Sequence, residues 1–461
     1  MHGQRLTEQL ELAFTAAEED VSSTVGREGA EPVVANCEPE RPAVTNSMME
    51  VVCERANLKK ALRRVKANKG SPGVDGMTVE QLPDYLRAQW PQHRDELLRG
   101  TYTPSPVRRV EIPKPDGGVR KLGVPTVLDR FVQQAVLQVL QPLFDPTFSD
   151  HSYGFRPGRS AHQAVAAAQK HLASGYRWVV DLDLEKFFDR VNHDLLMGRL
   201  AQRVTDTRVL KLVRAWLNAG VLEHGLVSAT GEGTPQGGPL SPCLSNIVLH
   251  ALDCELERRG HRFVRYADDC NVYVRSARAG HRVMASITLF ITTRLKLKVN
   301  AAKSAVAAAR ERTFLGFSFT HGHRPKRRLA EKSVVRFRAR VRLLTRRVRG
   351  ISLSQMVREL GAYLRGWRAY FGFCETPTIL RRLDKWVRRR LRAVVWKQWA
   401  RPGTRFRALR KRGVNAKDAI LTARSNRGPW RVTLTAALCW ALPGAYFDSL
   451  GLPYLEKPVT A

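Results

Sequence analysis

Residues 263–274, FVRYADDCNVYV, decide the expected fold of this chain. Residues that favour strands lie on both sides of the central Tyr-Ala-Asp-Asp, and this pattern predicts a hairpin whose turn carries two adjacent carboxylates. Taken alone, Asp268 and Asp269 also fit an ordinary polar turn, because Asp is favoured there for its local hydrogen bonds. The rest of the chain must decide between a plain turn and a functional site.

An upstream segment, residues 177–183 (RWVVDLD), predicts a second strand that ends in an acidic residue. The two strand ends could bring Asp183 and Asp268 together around two Mg²⁺ ions, since carboxylates from different strands hold the metals of two-metal polymerases. We take these two residues as the shared metal ligands. Asp269 is a third candidate for metal binding and catalysis, although strict alternation along a strand points it to the other side. Asp181 shares the face of Asp183 and is an outside candidate.

Further motifs follow one another along the chain in a defined order, and together they are specific. They are GSPGVDG at 70–76, IPKPDGG at 112–118, GVP at 123–125, YGFRPGRS at 153–160, DLEKFFD at 183–189, TPQGGPLSP at 234–242, NAAKS at 300–304 and FLGF at 314–317. With these motifs and the central hairpin, the chain resembles reverse transcriptases of the group II intron maturase family over roughly residues 50–440. The resemblance implies that Asp183, Asp268 and Asp269 are catalytic metal ligands.

The same resemblance implies roles around an incoming nucleotide. Phe188 corresponds to the steric gate that excludes a 2′-hydroxyl, with packing of a Phe-Phe pair as the alternative. Gln236 lies against the nucleotide and the templating pair, although composition alone also fits a plain Gly-rich loop before a helix. Lys114 and Arg120 flank a predicted hairpin turn, where two cations could hold the triphosphate or simply be solvated. Lys303 matches the position that protonates the leaving pyrophosphate.

The charge of the chain favours a nucleic-acid partner. There are 77 Lys and Arg against 42 Asp and Glu, a formal net charge of +35, and a polyanion is the natural counterpart of such an excess. Between residues 324 and 412 there are 29 basic and four acidic residues. In the polymerase part, Arg156 and Arg159 are candidates for contact with template or primer phosphate, or surface arginines of a turn.

The basic region is predicted to be helical, because its apolar residues recur at helical spacing. These apolar residues are Leu380, Leu383, Val387, Leu391 and Val394. Arg382, Arg388 and Arg389 lie between them and are candidates for contact with RNA phosphate, with a solvated face as the alternative. Residues 366–371, GWRAYF, resemble the signature of the maturase domain that binds intron RNA.

We expect an α+β fold, namely a right-hand polymerase with a small antiparallel sheet in its palm, followed by a helical thumb and maturase domain. The expected divisions are an acidic, disordered extension at 1–48, an N-terminal extension with fingers at 49–175, a palm at 176–319, a thumb at 320–361, a maturase domain at 362–440 and a C-terminal tail at 441–461. Scattered cysteines, with no Cys-x-x-Cys pair, argue against a zinc site or a disulfide framework. Without histidines or paired cysteines after Arg412, we expect no C-terminal endonuclease.

The predicted function is that of an RNA-directed DNA polymerase encoded by a group II intron, which copies intron RNA during retrohoming and helps the intron to splice. Its predicted partners are structured intron RNA, a DNA target and primer, and deoxynucleotide triphosphates. With neither a secretory signal nor an apolar run long enough to span a membrane, the expected location is the cytoplasm. The alternatives are a reverse transcriptase of a retron, diversity-generating or defence system, an RNA-binding splicing factor without polymerase activity, and an RNA-dependent RNA polymerase.

Overall fold

The structure is a computed structural model that describes residues 47–113, 119–223, 226–228, 232–233 and 237–456, with the backbone alone at Arg120, Glu223 and 226–228. The described chain divides into two compact units at Ala308 and Ala309. Nearly all of the predicted extension at 1–48 lies outside the described residues, as do Lys114 and Gln236.

The helices of the first unit begin at polar caps or proline positions, as their sequences predict. They are α1 Met48–Val52, α2 Arg55–Ala67, α3 Leu82–Arg99, α4 Val127–Phe144, α5 Ala161–Ala173, α6 His193–Ala201, α7 Thr207–Asn218, α8 Ser241–Arg258 and α9 Ala277–Arg294. Ser160 and Gln163 form a reciprocal capping box at α5, and Asn192 caps α6 through the backbone N–H of Leu195. The Gly-rich stretch at 234–242 leads into α8, the helix expected after it.

One sheet contains the two strands on either side of the predicted hairpin turn, whose residues 114–118 lie outside the described residues. Its strands are β1 Val107–Pro113, β2 Val119–Val124, β4 Val221–Glu223 and β5 Leu226–Ser228, in the order β2-β1-β4-β5. β1 and β2 are antiparallel, with Pro113 opposite Val119. β4 and β5 fall within the range predicted as palm, yet β4 pairs in parallel with β1 through Val107 and Val221. Sequence order alone could not reveal this pairing.

The second sheet is the small antiparallel sheet predicted for the palm. Its strands are β3 Trp178–Leu182, β6 Arg262–Tyr266, β7 Asp269–Val274 and β8 Ala305–Ala308, in the order β6-β7-β3-β8. All three strand pairs are antiparallel. Val180, Phe263 and Val272 are fully buried in one apolar core that also includes residues of α4 and α8. The α+β class is therefore confirmed, and the sheet holds the predicted catalytic turn at its end.

The second unit is mainly helical. Its elements are β9 Phe317–Phe319, β10 Arg327–Leu329, α10 Glu331–Leu344, α11 Leu353–Phe371, α12 Pro377–Gln398, α13 Pro402–Lys411, α14 Ala416–Ala423, α15 Pro429–Val432, α16 Ala436–Ala441 and α17 Gly444–Ser449. The five apolar residues predicted to face the core of α12 are all buried. The predicted division at 361/362 falls inside α11. Within the described residues, no helix is long and apolar enough to cross a membrane.

The predicted C-terminal tail packs into this second unit as far as it is described. Phe447 of α17 is fully buried, and Leu452 and Leu455 beyond it are almost fully buried. The backbone N–H groups of Leu455 and Glu456 donate to the carboxylate of Asp384 in α12. Residues 441–456 are therefore part of a folded unit, which the Pro-rich composition of the segment did not suggest.

Candidate active site

The predicted hairpin forms between β6 and β7, with Tyr266 opposite Asp269 and a two-residue turn at Ala267 and Asp268. Ala267 has a φ of +56°, in the left-handed region that residues with a side chain rarely occupy. Such a conformation costs about 1–3 kcal/mol and persists only where the surrounding structure enforces it. The turn is therefore held in place by contacts outside the hairpin.

Strand register brings the predicted acidic residues to the same end of neighbouring strands. Leu182 pairs with Cys270 and Asp181 with Asn271. Asp183 comes directly after Leu182, and Asp269 comes directly before Cys270, so the same register sets these two residues opposite each other. Residues opposite each other in antiparallel strands point to one face. The continued register thus places Asp269 on the face of Asp181 and Asp183, and the doubt that alternation raised about Asp269 does not hold.

Electrostatics agree with this grouping. Although Asp269 retains solvent exposure at the turn, its pKa is raised to about 7 by desolvation of its carboxyl together with the negative charges of Asp268, Asp181 and Asp183. Lys303 acts in the opposite direction. Carboxylates that raise one another's pKa in this way are stabilised by a nearby cation.

Asp183 is fixed by the segment predicted to contain the proton donor. Its backbone N–H donates to Ser304 Oγ at 3.0 Å, and its carbonyl accepts from the backbone N–H of Asn300 at 2.8 Å. The Nζ of Lys303 lies 3.9 Å from Asp183 Oδ2. The structure thus brings Lys303 to the acidic cluster.

A buried ion pair that the sequence reasoning missed supports the turn. The guanidinium of Arg265 donates to Asp253 at 2.6 and 2.5 Å, to Asn246 Oδ1 at 3.0 Å and to the carbonyl of Ala267 at 2.9 Å. Burial lowers the pKa of Arg265, but Asp253 more than offsets this effect and the pKa lies above its ordinary value. The sequence did contain one sign of this pair, since Arg265 is a charged residue among the apolar residues of the predicted strand.

The loop at 153–160 closes the other side of the turn. Tyr153 donates its backbone N–H to the carbonyl of Arg265 at 2.9 Å, and Asn246 donates to the carbonyl of Gly154 at 2.9 Å. A Cβ at Gly154 would lie 2.2 Å from the backbone N of Ala267. Only glycine allows the loop to approach the catalytic turn so closely.

Arg156 does not have the exposed position that a phosphate contact requires. Its side chain is 5% exposed and pairs with Asp145 at 2.9 Å, and it also donates to the carbonyls of Ser149 and Ser152. The structure gives Arg156 an anchoring position in place of the predicted nucleic-acid contact. Arg159 is more accessible and pairs with Asp150.

Phe188 lies in a 3-10 turn at Phe187–Asp189, shortly after Asp183. Its ring is half-buried and packs edge-on against Phe187, with centroids 5.2 Å apart. Gly233 approaches the backbone here, since a Cβ on it would lie 2.9 Å from the carbonyl oxygen of Phe188. The roles predicted for Lys114, Gln236 and the side chain of Arg120 concern atoms outside the described part of the chain.

The three arginines predicted to contact RNA differ in their surroundings. Arg382 is exposed. Arg388 is buried, pairs with Asp384 and Asp448 and lies over the ring of Tyr454, so it stabilises the helical unit and is not available to RNA. Arg389 stacks on Trp430 at 3.9 Å and donates to Thr433. Of the three, only Arg382 keeps the predicted accessibility in full.

Comparison with known proteins identifies two regions. Residues 112–319 match the family Reverse transcriptase (RNA-dependent DNA polymerase), and residues 334–413 match Group II intron, maturase-specific domain. The chain belongs to the group II intron reverse transcriptase and maturase family. The maturase-specific match begins within α10, ahead of the division predicted at 361/362.

Two curated relatives show how far the similarity extends. Protein YkfC of Escherichia coli (strain K12) is 40% identical over 218 residues, which are 46% of this chain and 57% of that protein. Group II intron-encoded protein LtrA of Lactococcus lactis subsp. cremoris is 37% identical over 201 residues, which are 42% of this chain and 32% of that protein. The matched region thus spans between about a third and somewhat more than half of these relatives.

Reverse transcriptases generally use divalent metal ions, and the acidic cluster is compatible with this requirement. Within the described residues, no group of three or more His, Cys, Asp or Glu side chains is arranged so that it could hold a metal ion as it stands. Desolvation, and then repulsion by the neighbouring carboxylates, nevertheless raises the pKa of Asp269, and a bound cation relieves such repulsion. Carboxylate oxygens also suit Mg²⁺, which keeps several waters and binds substrate phosphates.

Proposed function

We propose that this protein is an RNA-directed DNA polymerase that copies group II intron RNA into DNA during retrohoming and binds the intron RNA to assist its splicing. The observation that carries the polymerase proposal is the convergence of Asp183, Asp268 and Asp269 at one end of the antiparallel sheet. The maturase proposal is supported by the match at 334–413 and by the basic surplus of that region. Structured intron RNA, a DNA target with its primer, and deoxynucleotide triphosphates are the proposed partners.

In the proposed mechanism, Asp183, Asp268 and Asp269 would hold two Mg²⁺ ions through their carboxylate oxygens. When bound, such ions activate the attacking 3′-oxygen and stabilise the leaving pyrophosphate. Arg265 keeps the carbonyl of Ala267 in place, so the carboxylates on the turn do not have to reorganise during the reaction. Lys303, near Asp183, supplies a proton to the departing pyrophosphate.

Nucleotide selection is assigned to residues that flank this cluster. Lys114 and Arg120 hold the triphosphate through charge-assisted hydrogen bonds, and Gln236 contacts the incoming nucleotide beside the templating pair. Phe188 excludes a 2′-hydroxyl by its bulk. Its partly exposed ring, held against Phe187, is compatible with that role.

The test is primer extension by purified protein on an RNA template with a DNA primer, deoxynucleotides and Mg²⁺. Asp268→Asn removes one charge at nearly constant size and is expected to reduce synthesis at least about 1,000-fold, on the order of 4 kcal/mol in the barrier. Asp95→Asn, at an exposed ion pair on α3, is the matched control and should extend the primer normally. No synthesis from folded wild-type protein would contradict the polymerase proposal.

The maturase part is tested separately, by the binding and splicing of an intron RNA in the presence of the same proteins. Asp268→Asn should bind the RNA as the wild type does, because the substitution lies far along the chain from the maturase-specific region. Splicing assistance without DNA synthesis in the wild type would instead favour an RNA-binding splicing factor.

A further inference from the structure

Several arginines of the second unit are already paired with carboxylates. Arg349 pairs with Glu359 at 2.6 Å, and Arg388 pairs with Asp384 and Asp448. Two further pairs are Arg327 with Glu375 and Arg381 with Glu456. These arginines therefore contribute to the structure of the unit. Their pairs involve many of the few acidic residues that the unit contains.

Arg342, Arg347 and Arg390 form a different group. Burial lowers the pKa of Arg390, and the like charges of Arg342 and Arg347 lower it further, so the three guanidiniums are close enough to repel one another. In the part of the chain that the structure describes, none of them forms an ion pair with a carboxylate. A cluster of positive charges without a counterion is stabilised by an anion.

Arg347 and Arg390 line a small cavity in this unit, and Arg342 lies beside Arg390, which donates to its carbonyl. The cavity has a volume of about 190 Å³ and is lined by Thr345, Arg347, Arg390, Ala393 and Trp430. Arg390 is held at its wall, because its Nε donates to Thr345 Oγ1 at 2.7 Å. An arginine fixed in this way loses little side-chain entropy when it binds an anion.

Aromatic rings adjoin the cavity. Trp386 has Arg342 and Arg390 at 5.9 and 5.5 Å from its ring centre, and Trp430 lines the cavity itself. Cations next to aromatic rings are the chemistry that binds a nucleic-acid strand, through its phosphates and by base stacking. The cavity is smaller than the roughly 300–1,000 Å³ of ordinary small-molecule sites. It therefore fits a single phosphate group of a nucleic-acid strand better than a whole free nucleotide.

We infer that this cavity binds a single backbone phosphate of RNA, with Arg347 and Arg390 as its cationic ligands and the charge of Arg342 beside them. The inference rests on the proposed function, since it takes RNA as the partner of the second unit. It goes further by naming the residues that contact the RNA, which are not Arg382, Arg388 and Arg389, the candidates that the sequence suggested.

The experiment uses fluorescence anisotropy to measure the affinity for a fluorescein-labelled single-stranded RNA of about 20 nucleotides over a range of salt concentrations. For single strands, the logarithm of the binding constant falls by about 0.7 per log unit of salt for each phosphate neutralised. Arg347→Gln and the pair Arg342→Gln/Arg347→Gln are expected to weaken binding and to reduce the slope by about 0.7, one phosphate contact. Arg347→Lys should restore the slope more than the affinity, because it keeps the charge and loses the planar fork.

Arg424→Gln is the matched control, since Arg424 is exposed at the end of α14 in the same unit. It removes the same charge and should leave the slope at the wild-type value. Thermal unfolding of each variant shows whether the unit is intact. Variants of the cavity that bind with wild-type affinity and slope would overturn the inference alone, whereas a wild-type protein that does not bind RNA would overturn it together with the proposed RNA partner.

Discussion

At the scale of single residues, Arg265 links the buried core to the turn that carries Asp268. It is fully buried and uses its donors on Asp253, Asn246 and the carbonyl of Ala267. A buried ion pair adds little net stability by itself, but removal of one partner leaves an uncompensated charge. The pair is therefore best understood as a device that fixes the strained turn.

We predict that Asp253→Leu destabilises the protein by about 3–5 kcal/mol, the usual cost of an unpaired buried charge. The double variant Arg265→Met/Asp253→Leu should recover much of this loss, because neither charge is then buried. Urea unfolding measures both changes. Primer extension should stay weak in the double variant even when it is folded, because Ala267 has lost its donor. Full synthesis from that variant would contradict the positioning role.

Phe187 and Phe188 offer a matched pair of adjacent rings. Phe187 is 3% exposed, so Phe187→Ala is expected to cost about 3–5 kcal/mol of stability through the cavity it leaves, with sugar selectivity retained. Phe188→Ala should cost less stability and should allow ribonucleotides to be incorporated. Single-nucleotide incorporation with matched deoxy and ribo substrates measures the ratio. An unchanged ratio in Phe188→Ala would remove this residue from the gate role.

At the scale of elements, local patterns carried most of the prediction. Alternating β-branched and aromatic residues were enough to predict the hairpin at 263–274 and the strand before Asp183, and apolar spacing was enough for α12. Long-range pairing was not accessible in this way. The parallel contact of β4 with β1, the burial of Arg156 and Arg388, and the partner of Arg265 all depend on residues distant in sequence.

The approach of the loop at 153–160 to the turn gives a prediction about Gly154. In Gly154→Ala the new Cβ would meet the backbone N of Ala267 at 2.2 Å, and since both sides are backbone, neither can yield by a rotamer change. Loss of DNA synthesis and of stability is expected, measured by primer extension and thermal unfolding.

Gly198 in α6 supplies the contrast, because a Cβ there meets nothing within 4 Å. Gly198→Ala should stabilise the protein by up to about 1 kcal/mol through helix propensity and should leave synthesis unchanged. If Gly154→Ala behaved in the same way, the loop would not be in close contact with the turn in solution.

At the scale of the whole molecule, the acidic cluster and the large basic excess lie in different units. The acidic cluster lies in the first unit, whereas the sequence from 324 to 412, in the second, holds 29 basic residues against four acidic ones. A polymerase site needs local negative charge to bind cations, and an RNA-binding surface needs the opposite sign. Separate units allow both within one chain of net charge +35.

The end of the described chain tests whether the second unit needs its last helix. Truncation after Ala441 removes Phe447, Leu452 and Leu455 from the core and takes two N–H donors from the buried carboxylate of Asp384. Exposed apolar surface and the loss of two hydrogen bonds to a buried carboxylate are both destabilising. We therefore expect faster proteolysis of the region after 309 and a lower transition temperature. Truncation after Glu456 is the matched control and should behave as the full chain does; equal stability of the two truncations would mean that residues 442–456 add nothing to the unit.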